Sequence, residues 1–114
     1  MFIRPETTGD APAIHRVLCE AFPSELEAGL VAALRRNNHL RVSFVAELDG
    51  EVAGHVAFSP VQLDPAHNSL HLLGLAPLAV LTSHRRQGVA AALVEQALDT
   101  CRNLNVDAVV VLEE

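Results

Sequence analysis

The residues best suited to chemistry stand together in one turn, Arg85-Arg86-Gln87-Gly88-Val89-Ala90, between an apolar run and an alanine-rich segment of helical period. A strand that runs directly into a glycine-bearing turn and then a helix is a recurrent way to hold phosphate. The first turn of a helix has backbone N–H groups without helical partners, and the positive end of the helix dipole lies there. Gly88 and Ala90 lack bulk, so two oxygens of a pyrophosphate can approach backbone amides directly. Arg85 and Arg86 add positive charge nearby. The competing reading is an ordinary strand-to-helix connection in which the glycine serves geometry alone.

Groups able to move a proton are scattered. His55 and His71 fall in predicted strands flanking the turn and could relay a proton directly or through water. Glu47 could act as a base if its strand face points to the same place. A strand histidine is more often a hydrogen-bonded structural residue, and a strand carboxylate is more often solvated. Ser83 and His84 precede the arginines in a turn where capping and exposure are expected. Arg35 and Arg36 suit the carboxy-terminal end of a helix dipole before they suit a ligand. Cys19 and Cys101 have neither metal-ligand spacing nor the density of a disulfide scaffold, so no metal site is expected; Cys101 reads as a small core residue.

These groups must be positioned by a chain of 114 residues, half of them hydrophobic, which is enough for one core and one domain over 1–114. With four Phe and no Trp or Tyr, that core is aliphatic. A net charge of −6 without a basic run longer than two residues argues against nucleic acid. The amino terminus lacks an apolar signal core, and no segment has the length needed to span a bilayer, which predicts a cytoplasmic protein without membrane association.

Residues 2 to 4 suit a first strand. Thr8-Gly9-Asp10 starts a helix with Pro12 in its first turn and Ile14, Val17, Leu18, Ala21 and Phe22 on its apolar side. Ser24-Glu25-Leu26-Glu27 has the form of a capping box for a second helix over 25–36, with Leu26, Leu30, Ala33 and Leu34 as its buried stripe. From Leu40 the period changes to two: Val42, Phe44, Ala46 and Leu48 alternate with Arg41, Ser43, Val45 and Glu47. Asp49-Gly50 is a strong hairpin signal, and the return strand covers 52–61 with Gly54 as a candidate bulge. Residues 63–69 read as a loop and 71–81 as a buried strand. Pro77 within that strand cannot donate to a ladder, so it marks a bulge or a parting from a neighbour. A helix over about 87–104 follows, with Ala91, Leu93, Val94, Ala97, Leu98 and Cys101 on its packing face, and then a strand over 106–112. The order is β-α-α-β-β-β-α-β, an α/β (α+β) fold whose last strand, helix and strand can form a parallel crossover.

Arg85-x-x-Gly88-x-Ala90 resembles the R/Q-x-x-G-x-G/A pattern of the GNAT superfamily of acetyl-CoA-dependent N-acetyltransferases. Leu78-Ala79-Val80-Leu81 precede it at the family's spacing. The runs Gly54-His55-Val56-Ala57-Phe58-Ser59-Pro60-Val61 and Leu73-Gly74-Leu75-Ala76-Pro77-Leu78-Ala79-Val80 resemble a bacterial, YhbS-like subgroup. The resemblance covers the whole chain and implies a mixed central sheet truncated after its fifth strand. It implies that the backbone of Leu78, Ala79 and Val80 bonds the pantetheine arm of acetyl-CoA between two splayed strands. The pyrophosphate would then fall to Arg85, Arg86, Gln87, Gly88, Val89, Ala90 and Ala91. Two departures stand out. Thr82 occupies the place of a usual proline, and the helix and strand pair that normally follow the fifth strand, with a frequent thiolate-protonating Tyr, are not present.

The resemblance therefore implies acetyl transfer to an unidentified small-molecule or peptide amine by direct attack. A truncated domain that binds coenzyme A without catalysis, as a sensor or interaction module, is the alternative. A small α/β interaction domain with no ligand is a third reading. A terminal strand with an unpaired edge further predicts a homodimer.

Overall fold

The computed structural model describes residues 1–62 and 70–111. The elements are β1 (Phe2–Pro5), α1 (Ala11–Ala21), α2 (Leu26–Arg36), β2 (Val42–Leu48), β3 (Glu51–Val61), β4 (Leu72–Val80), α3 (Val89–Asn103) and β5 (Ala108–Val111). The order matches the expected mixed α/β arrangement. The expected loop at 63–69 and the end of the last strand at Leu112 lie outside the described residues.

One sheet runs β1-β2-β3-β4-β5, antiparallel throughout except for the parallel β4–β5 pair. Alternation along β2 divides the core. Val45 faces α1 and α2 with Ile14, Val17, Leu18 and Val31. Val42, Phe44 and Ala46 face α3 with Phe58, Leu93, Ala97 and Cys101. The hairpin forms as its sequence requires: Asp49 and Gly50 both take positive φ, 53° and 81°, and Leu48 pairs with Glu51.

Four expectations are corrected. The bulge lies beside Gly54, not at it: Ala46 pairs with Gly54 and Glu47 with Val52, so Ala53 is the extra residue. Gly54 has another task, since a Cβ there would stand 3.0 Å from Val89 Cγ1 and 3.1 Å from Leu93 Cδ1. Its bare backbone lets α3 lie close on the sheet. On α2, Glu27, Ala28 and Val31 are buried, while Leu26 and Leu30 are 75% and 46% exposed. The helix has two apolar stripes, and the smaller residues of the second allow the closer approach to α1. The capping box also fails there, because Glu27 turns inward and only Ser24 Oγ accepts a hydrogen bond, from Leu26 N–H at 3.3 Å. On α3, Val89 replaces Ala91 in the packing face; Ala91 is exposed.

Arg4 ties the amino terminus to the sheet. Its guanidinium donates to both carboxylate oxygens of Asp10, at 2.7 and 2.9 Å, and to Glu47 at 2.7 Å. The Arg4 hydrogen bonds hold the Asp10 carboxyl far below its ordinary range, and the same contacts raise the guanidinium further. Asp10 also accepts from Thr7 N–H and Thr7 Oγ1, at 2.6 and 3.0 Å, which sets the start of α1.

Candidate functional site

Of the two features expected at Pro77, a bulge or a parting, the structure has a bulge. β3 and β4 slip in register between the pairs Val56–Leu78 and Phe58–Leu75, opposite Ala76 and Pro77. The parallel pairing of β4 with β5 runs from Leu72–Ala108 to Leu75–Val111 among the described residues. Past Pro77, β4 remains joined to β3: Gly54 pairs with Val80, and Leu81 N–H donates to Ala53 O at 2.8 Å. Since Leu81 points its amide at β3, strand alternation turns the N–H and C=O of Val80, and of Leu78, to the opposite side. That side opens into a cleft of about 530 Å3.

Two walls of the cleft come from residues distant in sequence. One is Leu78, Ala79 and Val80 at the end of β4; the other is Gly88, Val89, Ala90 and Ala91 at the start of α3. The first intrahelical bond of α3 is Ala92 N–H to Gly88 O at 3.0 Å, so the amides of Val89, Ala90 and Ala91 precede the helical ladder. Arg86 and Gly88 both hold left-handed φ, 64° and 80°. For Arg86 this conformation costs about 1–2 kcal/mol, a strain of the kind concentrated at ligand sites. An added Cβ on Gly88 would meet nothing within 4 Å, so backbone conformation, not packing, selects glycine there. A concave run of N–H donors at a helix amino terminus, beside Arg85 and Arg86, suits a phosphate-bearing ligand. Of the ten residues expected to hold a coenzyme, all but Gln87 line this cleft.

The remaining lining was not foreseen. Ala21 and Phe22, at the end of α1, close a third side. Glu20, just before them, accepts from Thr82 N–H at 2.9 Å and from Thr82 Oγ1 at 2.7 Å, binding α1 to the turn that leads into the cleft. Those two bonds hold the Glu20 carboxyl below its ordinary value. The departure at Thr82 thus has a physical partner, because a proline could supply neither donor. No pattern in the sequence links two residues this far apart. The Arg85 side chain folds back, its Nε donating to Val80 O at 3.2 Å. His84 also lines the cleft, with Nδ1 2.8 Å from Ser83 Oγ and Nε2 3.6 Å from Asp49 Oδ2.

None of the three candidate proton carriers lines that cleft. Glu47 is engaged by Arg4. His71 precedes β4, at the opposite end of the strand from Leu78–Val80. Its Nδ1 lies 3.2 Å from Asn105 O, and its N–H donates to Asp107 at 2.6 Å. His55 is fully buried, its Nε2 2.9 Å from Ser43 Oγ and its Nδ1 without a partner among the described residues. Burial pushes its imidazole down to about 4; the nearby Glu6 charge only partly opposes this. Ser43 donates to Glu6 Oε1 at 2.5 Å, and Arg35 donates to both Glu6 oxygens, at 2.8 and 3.2 Å. Burial raises the Glu6 carboxyl, but these bonds and the Arg35 charge outweigh it and leave it below its ordinary value. The network borders a different cleft, of about 690 Å3, through Glu6, Arg35 and Ser43.

Cys101 is buried against the sheet, and burial raises its thiol. No described helix is long and apolar enough to cross a membrane.

Comparison with known proteins bears on this cleft. The model of the Acetyltransferase (GNAT) family matches residues 11–114. An uncharacterized N-acetyltransferase of Escherichia coli strain K12, YhbS, is 44% identical over 113 residues, which is 98% of this chain and 66% of that protein. A crystal structure of E. coli YhbS in complex with CoA superimposes with a TM-score of 0.91 at 43% identity, covering 97% of this chain and 61% of that one. A GNAT family acetyltransferase from Brucella melitensis in complex with acetyl-CoA gives a TM-score of 0.91 at 35% identity, covering 99% of this chain and 75% of that one. The chain thus spans less than two thirds of the length of YhbS.

Proposed function

Because this chain belongs to the GNAT acetyltransferase family, we propose that it forms the coenzyme-holding part of an N-acetyltransferase that uses acetyl-CoA. The observation that carries the reading is the convergence of two backbone surfaces on one cleft. These are the outward edge of Leu78–Val80 and the unpaired amides at the start of α3. The relatives crystallised with CoA and acetyl-CoA share this architecture and support it. The pantetheine arm would add to β4 as a strand does, and the pyrophosphate would take the amides from Arg86 to Ala91, with Arg85 and Arg86 supplying charge.

In the reaction, the neutral nitrogen of an amine attacks the thioester carbonyl carbon. The C–N bond forms, the C–S bond breaks, the nitrogen loses a proton and the departing thiolate gains one. The Val80 N–H, turned away from β3, is the donor placed to polarise the carbonyl. Positioning supplies much of the acceleration, so no covalent intermediate on the protein is required. Among the described residues, His84 is the histidine that lines the cleft, and His55, His71 and Glu47 lie outside it. The acceptor is a small-molecule or peptide amine.

Calorimetric titration with acetyl-CoA tests the reading: binding should be present, and Gly88→Val should weaken it severely. An absence of heat or thermal shift at millimolar ligand would remove it. A second reading, coenzyme binding without transfer, is favoured by one observation: among the described residues, none of the three candidate proton carriers lines the cleft. Thiol release with a panel of amines separates the two. For the homodimer, the supporting feature is β5, which lacks a partner on its far side among the described residues and leaves Val111 66% exposed. Sedimentation showing a monomer at high concentration would remove that proposal.

A further inference from the structure

We propose that His15, Cys19 and Glu25 form a site for one divalent transition-metal ion of the zinc class at the corner between α1 and α2. His15 and Cys19 are four residues apart on α1 and so share a face. The chain leaves the helix at Ala21 and turns back, bringing Glu25, the N-cap of α2, against that face. One imidazole nitrogen, the thiol sulfur and one carboxylate oxygen all lie within 4.8 Å of one another, with His15 Nε2 3.9 Å from Glu25 Oε1.

Around a tetrahedral zinc ion with bonds of about 2.0–2.3 Å, ligand atoms stand about 3.3–3.6 Å apart. The three groups therefore need to close by at most about 1.5 Å. His15 and Glu25 can supply that movement, because both are exposed, while Cys19 packs partly against the core; the three side chains make no hydrogen bond to another described residue. A thiolate, an imidazole and a carboxylate together suit zinc or cobalt, and suit magnesium or calcium poorly. Three protein ligands leave a fourth position for water. Binding would release the Cys19 proton, so affinity should rise with pH.

The site stands apart from the coenzyme cleft but shares its frame. Glu20, next to Cys19, holds Thr82, and Phe22 lines the cleft between Cys19 and Glu25. A bound ion would pin the corner that carries both.

Cobalt(II) titration of the reduced chain tests the proposal. One equivalent should produce a thiolate-to-cobalt charge-transfer band in the near ultraviolet. Cys19→Ser should abolish it, while Cys101→Ser and His39→Ala leave it intact. Glu25→Gln, at a side chain too exposed to unfold the protein, should weaken the ion at least about tenfold, since even outer partners of metal ligands cost that much. Zinc should displace the cobalt and raise the unfolding temperature of the parent but not of Cys19→Ser. No charge-transfer band, a band that survives Cys19→Ser, or an affinity indifferent to Glu25→Gln would overturn the assignment. None of these measurements involves acetyl-CoA, so they stand or fall apart from the proposed function.

Discussion

Replacing Gly54 by alanine adds a single carbon between the sheet and α3, and its consequence can be worked out from the surrounding atoms. The new Cβ would stand 3.0 Å from Val89 Cγ1, 3.1 Å from Leu93 Cδ1 and 3.3 Å from Ala79 O. None of the three yields readily. Val89 is branched at Cβ and 2% exposed, Leu93 is fully buried, and Ala79 O is strand backbone. Overpacking of this kind costs about 1–3 kcal/mol. Against it stands the lower entropy of the unfolded chain on replacing glycine, about 0.4–1 kcal/mol. The net expectation is a loss of roughly 1–2 kcal/mol. With no Trp or Tyr to report, the assay is urea unfolding followed by far-ultraviolet circular dichroism, where the midpoint should fall at unchanged slope. The strain falls on the first turn of α3, so acetyl-CoA affinity should drop with it. In a Val89→Ala background the added carbon has room, and the penalty should shrink, a coupling that a double-mutant cycle reads directly. A Gly54→Ala chain as stable as the parent, or the same penalty in both backgrounds, would refute the reasoning.

Three further outcomes follow from the same geometry. Gly29, the fourth residue of α2, would place a Cβ in open space, so Gly29→Ala should stabilise the chain by up to about 0.8–1 kcal/mol in the same urea assay. His55 is held at about 4 by burial, against about 6.5 in an unfolded chain, so between those values the unfolded state binds a proton that the folded state does not. Stability should therefore rise by about 3 kcal/mol from pH 4 to pH 6.5 and gain nothing further from this group above that, a slope that His55→Gln should remove. Glu20→Gln and Thr82→Pro each weaken the link between α1 and the turn before α3, so amide exchange from Ser83 to Gly88 should quicken in both variants.

Where local chemistry admits one solution, sequence and structure agree. Asp49-Gly50 can be little other than a tight hairpin, and the alternation of Val42, Phe44 and Ala46 with Ser43 and Val45 assigns two faces without ambiguity. Pro77 within an apolar run had to interrupt a ladder, and the register slip lies beside it. The sequence was less informative where two solutions had similar local merit. On α2 both Leu26-Leu30 and Ala28-Val31 repeat at helical spacing, and only the closeness of α1 decides between them. Gly54 suited a bulge as well as a close approach, and the distance to Val89 distinguishes the two. In the cleft, residues from 78 to 91 could be read from a contiguous stretch. Phe22 and the Glu20–Thr82 link could not, since they depend on how α1 lies across β3 and β4. His71 was misplaced because a residue one position outside its strand belongs to the turn geometry at Asn105 and Asp107 instead.

The coincidence of strand order with chain order has a consequence for how the molecule assembles. Every strand from β2 onward pairs with the strand synthesised just before it, so a chain emerging from a ribosome always finds its next partner already made. The β2–β3 hairpin closes over two residues and incurs little loop entropy, whereas β1 and β2 meet across α1 and α2, and β4 and β5 only after α3 has been laid on the sheet. The cleft borders the helix that makes that crossover. Until α3 docks, the edge of β4 that lines the cleft lacks the wall that the helix supplies, and the step that brings β5 beside β4 is the same one that shapes the pocket.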